Sequence, residues 1–137
     1  AVPPTGQLVA VVKQETEFWV YVVSSEPGTV ECSASLASGA VDDDPAIDPS
    51  GVLETTIHAG NPVWSAAITE RYGLAKCVIT NEYDGNPVFV AEESYQISFR
   101  VLDARGNTQQ LFQDAGAYVF GGSAASRCLR GSVDIGG

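Results

Sequence analysis

Apolar and polar residues alternate along much of the chain, and residues 95–101 show this most clearly. Tyr95, Ile97, Phe99 and Val101 are apolar, and the residues between them are polar. A strand with this pattern turns one face to a core and the other to water, as in an antiparallel sheet. No stretch of helical length carries apolar residues at positions i, i+3, i+4 and i+7. The pattern therefore predicts an all-β protein.

The same reading predicts about ten or eleven short strands. Residues 18–23 are apolar throughout, which is typical of a strand covered on both faces. The predicted strands are residues 7–13, 18–23, 29–37, 52–58, 63–69, 74–83, 88–92, 95–102, 108–113, 117–120 and 127–135. Short antiparallel strands at this spacing favour a β-sandwich, a jelly roll or a small barrel. The length of 137 residues suits a single domain, spanning 1–137.

Two tight turns predict hairpins. Asp84-Gly85 supplies the positive φ angles of a two-residue turn, and Arg105-Gly106-Asn107 supplies the left-handed residue of a longer one. The first turn would pair residues 74–83 with 88–92. The second would pair residues 95–102 with 108–113.

Three cysteines permit one intrachain disulfide. Cys32 and Cys77 share the apolar side of their strands, whereas Cys128 lies among polar residues on its own strand. The pattern predicts a buried Cys32–Cys77 bridge, which would contribute on the order of 4 kcal/mol in the chain-entropy model. Cys128 is then a free thiol or forms an intermolecular bridge. The alternative is that all three are reduced core residues.

Acidic residues outnumber basic ones by 17 to 7, giving a formal net charge of −10. Such a surface repels nucleic acids and anionic membranes, so neither is an expected partner. Residues 39–51 form a predicted acidic loop, which contains Asp42, Asp43, Asp44 and Asp48. Carboxylates are the ligands that calcium prefers, but the spacing is not that of an EF-hand. The loop is a candidate calcium site or a solvated acidic loop, and no other cofactor is expected.

Few residues suggest catalysis. His58 is the single histidine, and no Gly-x-Ser-x-Gly elbow accompanies it. Glu92 and Glu93 are adjacent, so on a strand their side chains leave opposite faces and cannot flank one bond. The cysteines lack the close-pair spacing of zinc sites. We therefore expect a protein that is not an enzyme.

Exposed aromatic side chains offer a second class of function. Sugars stack on flat aromatic rings, and the candidates for such a platform are Trp19, Tyr21, Trp64, Tyr72 and Tyr83. A carbohydrate-binding module, or a weak glycan hydrolase, is therefore one alternative function.

The start Ala1-Val2-Pro3-Pro4 resembles the mature end left by signal peptidase, which predicts secretion. Together with the acidic, β-rich body and the few cysteines, this start makes the chain similar to small secreted proteins of filamentous fungi. These include elicitors that trigger the hypersensitive response, a plant defence reaction. The segment 49–64, with Thr56-Ile57-His58-Ala59-Gly60 and then Trp64, resembles part of the thaumatin-like proteins, although that family is rich in cysteine.

The leading hypothesis follows from the first resemblance. It is a secreted, extracellular, non-enzymatic elicitor or effector, monomeric or dimeric, that binds a protein or glycan on the host cell surface. The alternatives are the carbohydrate-binding module and a protease inhibitor that presents residues 39–51.

Overall fold

The computed structural model describes residues 4–36, 62–107, 112–121 and 127–130. These residues contain eight β-strands and no helix, which confirms the predicted all-β class. The strands are β1 (Gly6–Lys13), β2 (Glu17–Ser24), β3 (Gly28–Leu36), β4 (Val63–Ile68), β5 (Leu74–Thr80), β6 (Ser94–Asp103), β7 (Gln113–Val119) and β8 (Arg127–Arg130). None of the described segments is therefore a helix that could cross a membrane.

The strands form two antiparallel sheets of four. Sheet A has the order β5-β2-β1-β8, and sheet B has the order β4-β3-β6-β7. Strands β1 and β2 are neighbours in sequence and in sheet A, as β6 and β7 are in sheet B. The chain changes sheet between β2 and β3, between β4 and β5, between β5 and β6, and between β7 and β8.

One hydrophobic cluster takes side chains from both sheets. In sheet B, the four apolar residues of the clearest predicted strand belong to it, namely Tyr95, Ile97, Phe99 and Val101. In sheet A, Phe18, Val20 and Val22 of β2 join them. The period of two along these strands places these side chains on one face of each sheet. Burial of this shared apolar cluster therefore stabilises the association of the two sheets.

The other face of β2 is also covered, as the apolar run at 18–23 predicts. Tyr21 is buried in a second, smaller cluster with Ala10 and Val12 of β1, and Trp19 packs against it. Burial raises the pKa of the Tyr21 hydroxyl because the phenolate loses solvation.

A disulfide joins the two sheets. Cys32 lies on β3 of sheet B and Cys77 on β5 of sheet A, with their Cα atoms 6.7 Å apart. Both cysteines are fully buried. Cys128 on β8 is half-buried and packs against the second cluster, and its thiol donates a hydrogen bond to the carbonyl oxygen of Arg130 at 3.0 Å.

The strand bounds differ from the predicted ones at several places. The expected strand at 74–83 ends at Thr80, and the one at 117–120 is part of the longer β7. Residues 52–58 lie outside the described residues. The described chain therefore has eight strands, rather than the ten or eleven expected.

The Asp84-Gly85 turn forms, but the strand expected after it, residues 88–92, does not. Asp84 and Gly85 have φ angles of 55° and 79°, and Tyr83 and Asn86 bond to each other across the turn. Farther along, the side-chain oxygen of Asn81 accepts the backbone N–H groups of Val88 and Phe89, at 3.0 and 2.7 Å. Because a side chain takes these donors, no ladder forms there.

The turn at Arg105-Gly106-Asn107 is present, with a φ of 88° at Gly106. The carboxylate of Asp103 accepts hydrogen bonds from the backbone N–H groups of Arg105 and Asn107, both at 2.9 Å. The side chain of Asn107 donates a third, at 3.0 Å. Strands β6 and β7 then pair, with Phe99 opposite Gln113, while residues 108–111 lie outside the described ranges.

Candidate functional site

Several residues predicted to carry function fall outside the described ranges. Asp42, Asp43, Asp44, Asp48 and His58 are among them, so the calcium loop and the histidine stay predictions. Within the described residues, no three His, Cys, Asp or Glu side chains are grouped as a metal ion requires.

The five aromatic residues considered for sugar stacking do not form a single platform. Tyr21 is buried, and the ammonium group of Lys76 covers the ring of Trp19 at 4.0 Å. The rings of Trp64 and Tyr83 contact each other edge to face, 5.6 Å apart. Tyr72 differs from these four, because 67% of its surface is exposed.

Tyr72 lies in the turn between β4 and β5, and its backbone is held firmly. Its N–H donates to the carbonyl oxygen of Ser24 at 2.7 Å, which ties the turn to the end of β2. The next residue, Gly73, donates to the carbonyl oxygen of Glu70 at 3.1 Å. These two bonds fix the backbone from which the exposed ring projects.

The φ angle of Tyr72 is 58°, in the left-handed region. This conformation costs a non-glycine residue roughly 1–2 kcal/mol. Backbone strain of this kind occurs in turns and also clusters at binding and catalytic sites. Asp84 and Glu92 share this conformation in their own turns, so the positive φ makes Tyr72 a candidate but does not by itself assign a role to its ring.

A pocket of about 260 Å³, with both polar and apolar lining, lies at Tyr72. We call it the Tyr72 pocket, and its described lining residues are Thr5, Gly6, Gln7, Val23, Ser25 and Tyr72. They come from the start of β1, the end of β2 and the turn before β5. Antiparallel pairing of β1 with β2, with Gly6 opposite Ser24, brings the first two regions together.

The hydroxyl groups of the pocket are ordered by mutual hydrogen bonds. The N–H of Thr5 donates to the Ser25 hydroxyl at 2.8 Å, and the N–H of Ser25 donates to the Thr5 carbonyl oxygen at 2.9 Å. The two hydroxyl oxygens are 3.4 Å apart. Each hydroxyl can both donate and accept, and the Gln7 amide can do the same.

The surroundings of the pocket add one apolar surface and one ion pair. Leu74, opposite Val23 in the sheet, is 53% exposed. Arg71 and Glu26 form an exposed ion pair with 3.3 Å between Nη2 and Oε2. An exposed ion pair contributes about 1 kcal/mol or less, so this pair adds little to the stability of the turn.

The site thus combines a flat exposed ring with several neutral donors and acceptors. Sugar rings present apolar C–H faces and equatorial hydroxyl groups, which match an aromatic face and such polar groups respectively. None of the described lining residues carries a formal charge. The arrangement therefore suits binding of a neutral polar ligand.

Tyr72 was named from the sequence as an aromatic candidate, but its polar partners were not. Thr5 and Ser25 are 20 positions apart and meet only through the hairpin pairing. Short polar residues beside strands are common, so no local signal distinguishes these two. The Arg71-Tyr72-Gly73 turn signal ahead of β5 could have singled out Tyr72.

Comparison with known proteins gives no relative. No protein-family model matches the chain, and no curated protein or solved structure shows significant similarity to it. The properties of the site therefore have to be argued from its own residues.

Proposed function

We propose that the protein is a secreted, non-enzymatic binding domain that recognises a glycan through the Tyr72 pocket. The single observation that carries the proposal is the exposed Tyr72 ring, which is held at a φ of 58° beside a pocket of hydroxyl and amide groups. The strain is maintained by two backbone hydrogen bonds rather than relieved by glycine.

For the fold, the proposal is a β-sandwich. Two separate four-stranded sheets that share one hydrophobic cluster favour a sandwich over a single closed barrel. In a sandwich, the turns at one end form a continuous surface. The residue 4–6 segment, the β2 end and the Tyr72 turn would form such a surface.

Secretion is supported by the disulfide. Buried disulfides persist in oxidising compartments and are rare in the cytosol. An acidic surface also favours neutral polar ligands over phosphates. Both observations fit an extracellular glycan.

The first experiment is a glycan array followed by calorimetry on the best ligand. The variant is Tyr72→Gly, because glycine accepts the positive φ and removes only the ring. We expect binding about tenfold weaker or more, in the range of an aromatic contact. The thermal midpoint should change little, since the released strain is offset by the greater freedom of glycine in the unfolded chain.

The matched control is Tyr83→Ala, which removes an exposed tyrosine that contacts Trp64 and does not line the pocket. It should bind the glycan as the parent does. The proposed function would be refuted if the array showed no binding, or if the two variants lost glycan affinity equally.

The elicitor hypothesis becomes a specific form of this proposal, in which the glycan lies on a host cell surface. Purified protein infiltrated into leaves at micromolar concentration should give a defence response, and the Tyr72→Gly variant should give a weaker one. Silence of the parent protein would exclude the elicitor role. The glycan array would still test glycan binding separately.

A further inference from the structure

A second cavity, of about 410 Å³, lies apart from the Tyr72 pocket and shares no lining residue with it. Its described lining residues are Ala34, Ser35, Pro62, Val88, Val90, Glu93 and Tyr95. This volume falls within the range of small-molecule sites, about 300–1,000 Å³. We call it the Glu93 pocket.

The wall formed by residues 88–93 is fixed without a neighbouring strand. The Asn81 side chain accepts the N–H groups of Val88 and Phe89, and the Tyr95 hydroxyl accepts that of Val90 at 2.7 Å. The Phe89 ring is buried against those of Tyr95 and Phe120, with centroids 4.6 and 4.7 Å away. This wall of the pocket is therefore ordered without a ligand.

The turn at the end of this wall is also anchored. Glu92, with a φ of 67°, donates its N–H to the Phe120 carbonyl oxygen at 2.7 Å. The N–H of Phe120 donates to the Glu93 carbonyl oxygen at 2.9 Å. These bonds hold the backbone of Glu93 at the edge of the cavity.

Among the described lining residues, the polar side-chain groups are the hydroxyls of Ser35 and Tyr95 and the carboxylate of Glu93, and the other residues are apolar. Val90 is 62% exposed, a large apolar surface to leave in water. Glu93 is the one ionisable carboxylate among the described lining residues. The ion pairs described in the structure are Arg71–Glu26 and Arg100–Glu31, so no described cation neutralises Glu93.

An apolar ligand that carries a positive charge complements this lining. Its hydrocarbon part would cover Val88 and Val90, and its cation would approach the Glu93 carboxylate. The net charge of −10 favours the approach of cations to the whole molecule. The N–H groups of residues 88–90 are already bonded, which disfavours pairing of an added peptide strand along these three residues.

We propose that the Glu93 pocket binds a small amphiphilic amine, an alkylammonium ion whose charge pairs with Glu93. This site is independent of the glycan site, and either can fail without the other.

The test uses three six-carbon compounds on the ¹⁵N-labelled full-length protein at pH 7, namely hexylammonium, hexanol and hexanoate. A primary amine is protonated at this pH. Amide signals of Val88, Val90 and Glu93 should shift with hexylammonium, with a Kd on the order of 1 mM for so small a ligand. Hexanol should bind about threefold to fivefold more weakly, and hexanoate more weakly still.

Two variants separate charge from apolar contact. Glu93→Gln should weaken hexylammonium binding about threefold to fivefold and leave hexanol binding unchanged. Val90→Ser should weaken both ligands about threefold, through lost apolar area. Both positions are exposed, so the fold should be retained.

The matched control is Glu70→Gln, which makes the same charge change at an exposed residue of the β4–β5 turn. It should leave all three affinities unchanged. Equal binding of the three compounds, equal effects of Glu93→Gln and Glu70→Gln, or shifts confined to residues outside the pocket would each overturn the proposal.

Discussion

Single polar side chains decide the backbone path in two loops. The Asn81 side chain accepts hydrogen bonds from the backbone N–H groups of Val88 and Phe89. The Asp103 carboxylate accepts hydrogen bonds from those of Arg105 and Asn107. The sequence pattern at 88–92 suggested a strand because it shows only whether side chains are apolar. It does not show that an amide seven positions earlier will capture the backbone N–H groups.

The Asp103 turn gives a prediction about acid stability. The hydrogen bond from the Asn107 side chain lowers the pKa of Asp103, and the backbone bonds from Asn107 and Arg105 act in the same direction. A lowered pKa in the folded state stabilises the protein above the unfolded-state pKa, near 4. This contribution is lost as the pH falls through the lower, folded-state pKa.

We therefore expect Asp103→Asn to be less stable than the parent at pH 7, and the difference to shrink below about pH 4. Urea unfolding of both proteins across this pH range measures it. Asp84→Asn, at an exposed carboxylate in the other turn, serves as the control. If the stability difference between Asp103→Asn and the parent stayed constant down to about pH 2, the ionised Asp103 carboxylate would not be its source.

At the level of strands, the alternation rule located the buried residues of β6 correctly but not the environment of its polar face. Gln96 and Ser98 were expected in water, yet both are buried. Gln96 donates to Asp114 at 3.4 Å, and Arg100 donates to Glu31 at 2.8 Å. A period of two identifies the two faces of a strand, but burial of the second face depends on long-range packing.

Strand β7 contains an irregularity that the sequence pattern does not predict. Its pairing with β6 shifts register between Gln96 and Ser98, and Gly116 there has a φ of 98°. A Cβ atom at Gly116 would lie 2.3 Å from the hydroxyl oxygen of the buried Tyr118. Both the backbone angle and the close approach require glycine.

Replacing Gly116 by alanine should therefore lower the free energy of unfolding by about 2 kcal/mol or more, through strain and overpacking together. Gly85→Ala separates the two causes, because Gly85 also has a positive φ of 79° but open space around its Cβ. Its cost should be only about 1 kcal/mol. Chemical denaturation of the two variants compares them, and equal losses would show that the Tyr118 contact is unimportant.

For the whole molecule, the sequence was sufficient to predict an all-β chain and the pair of cysteines that share a side with core residues. It could not predict the strand order or the Tyr72 pocket. The pocket depends on Thr5, Ser25 and Tyr72, which converge through pairings between distant segments. Such pairings follow from the global fold and leave no local pattern.

The bridge between the sheets leads to a prediction about global stability. The double variant Cys32→Ala and Cys77→Ala should lose on the order of 4 kcal/mol of unfolding free energy, because its unfolded chain is less constrained. Cys128→Ala, outside the bridge, should cost about 1 kcal/mol. A double variant as stable as the parent would show that the bridge is not a main support of the fold.

The same bridge determines how the protein would respond to a pulling force. If the two ends of the chain were stretched, the force would pass from Cys32 to Cys77 through the sulfur atoms, 45 positions apart in sequence. The chain between them would not extend, which shortens the unfolded length by about 150 Å at roughly 3.3–3.6 Å per residue. Tyr72 lies inside this protected span, whereas Thr5 and Ser25 lie in the part that bears the load. Tension would therefore separate the two halves of the Tyr72 pocket before it deformed the turn that carries the ring.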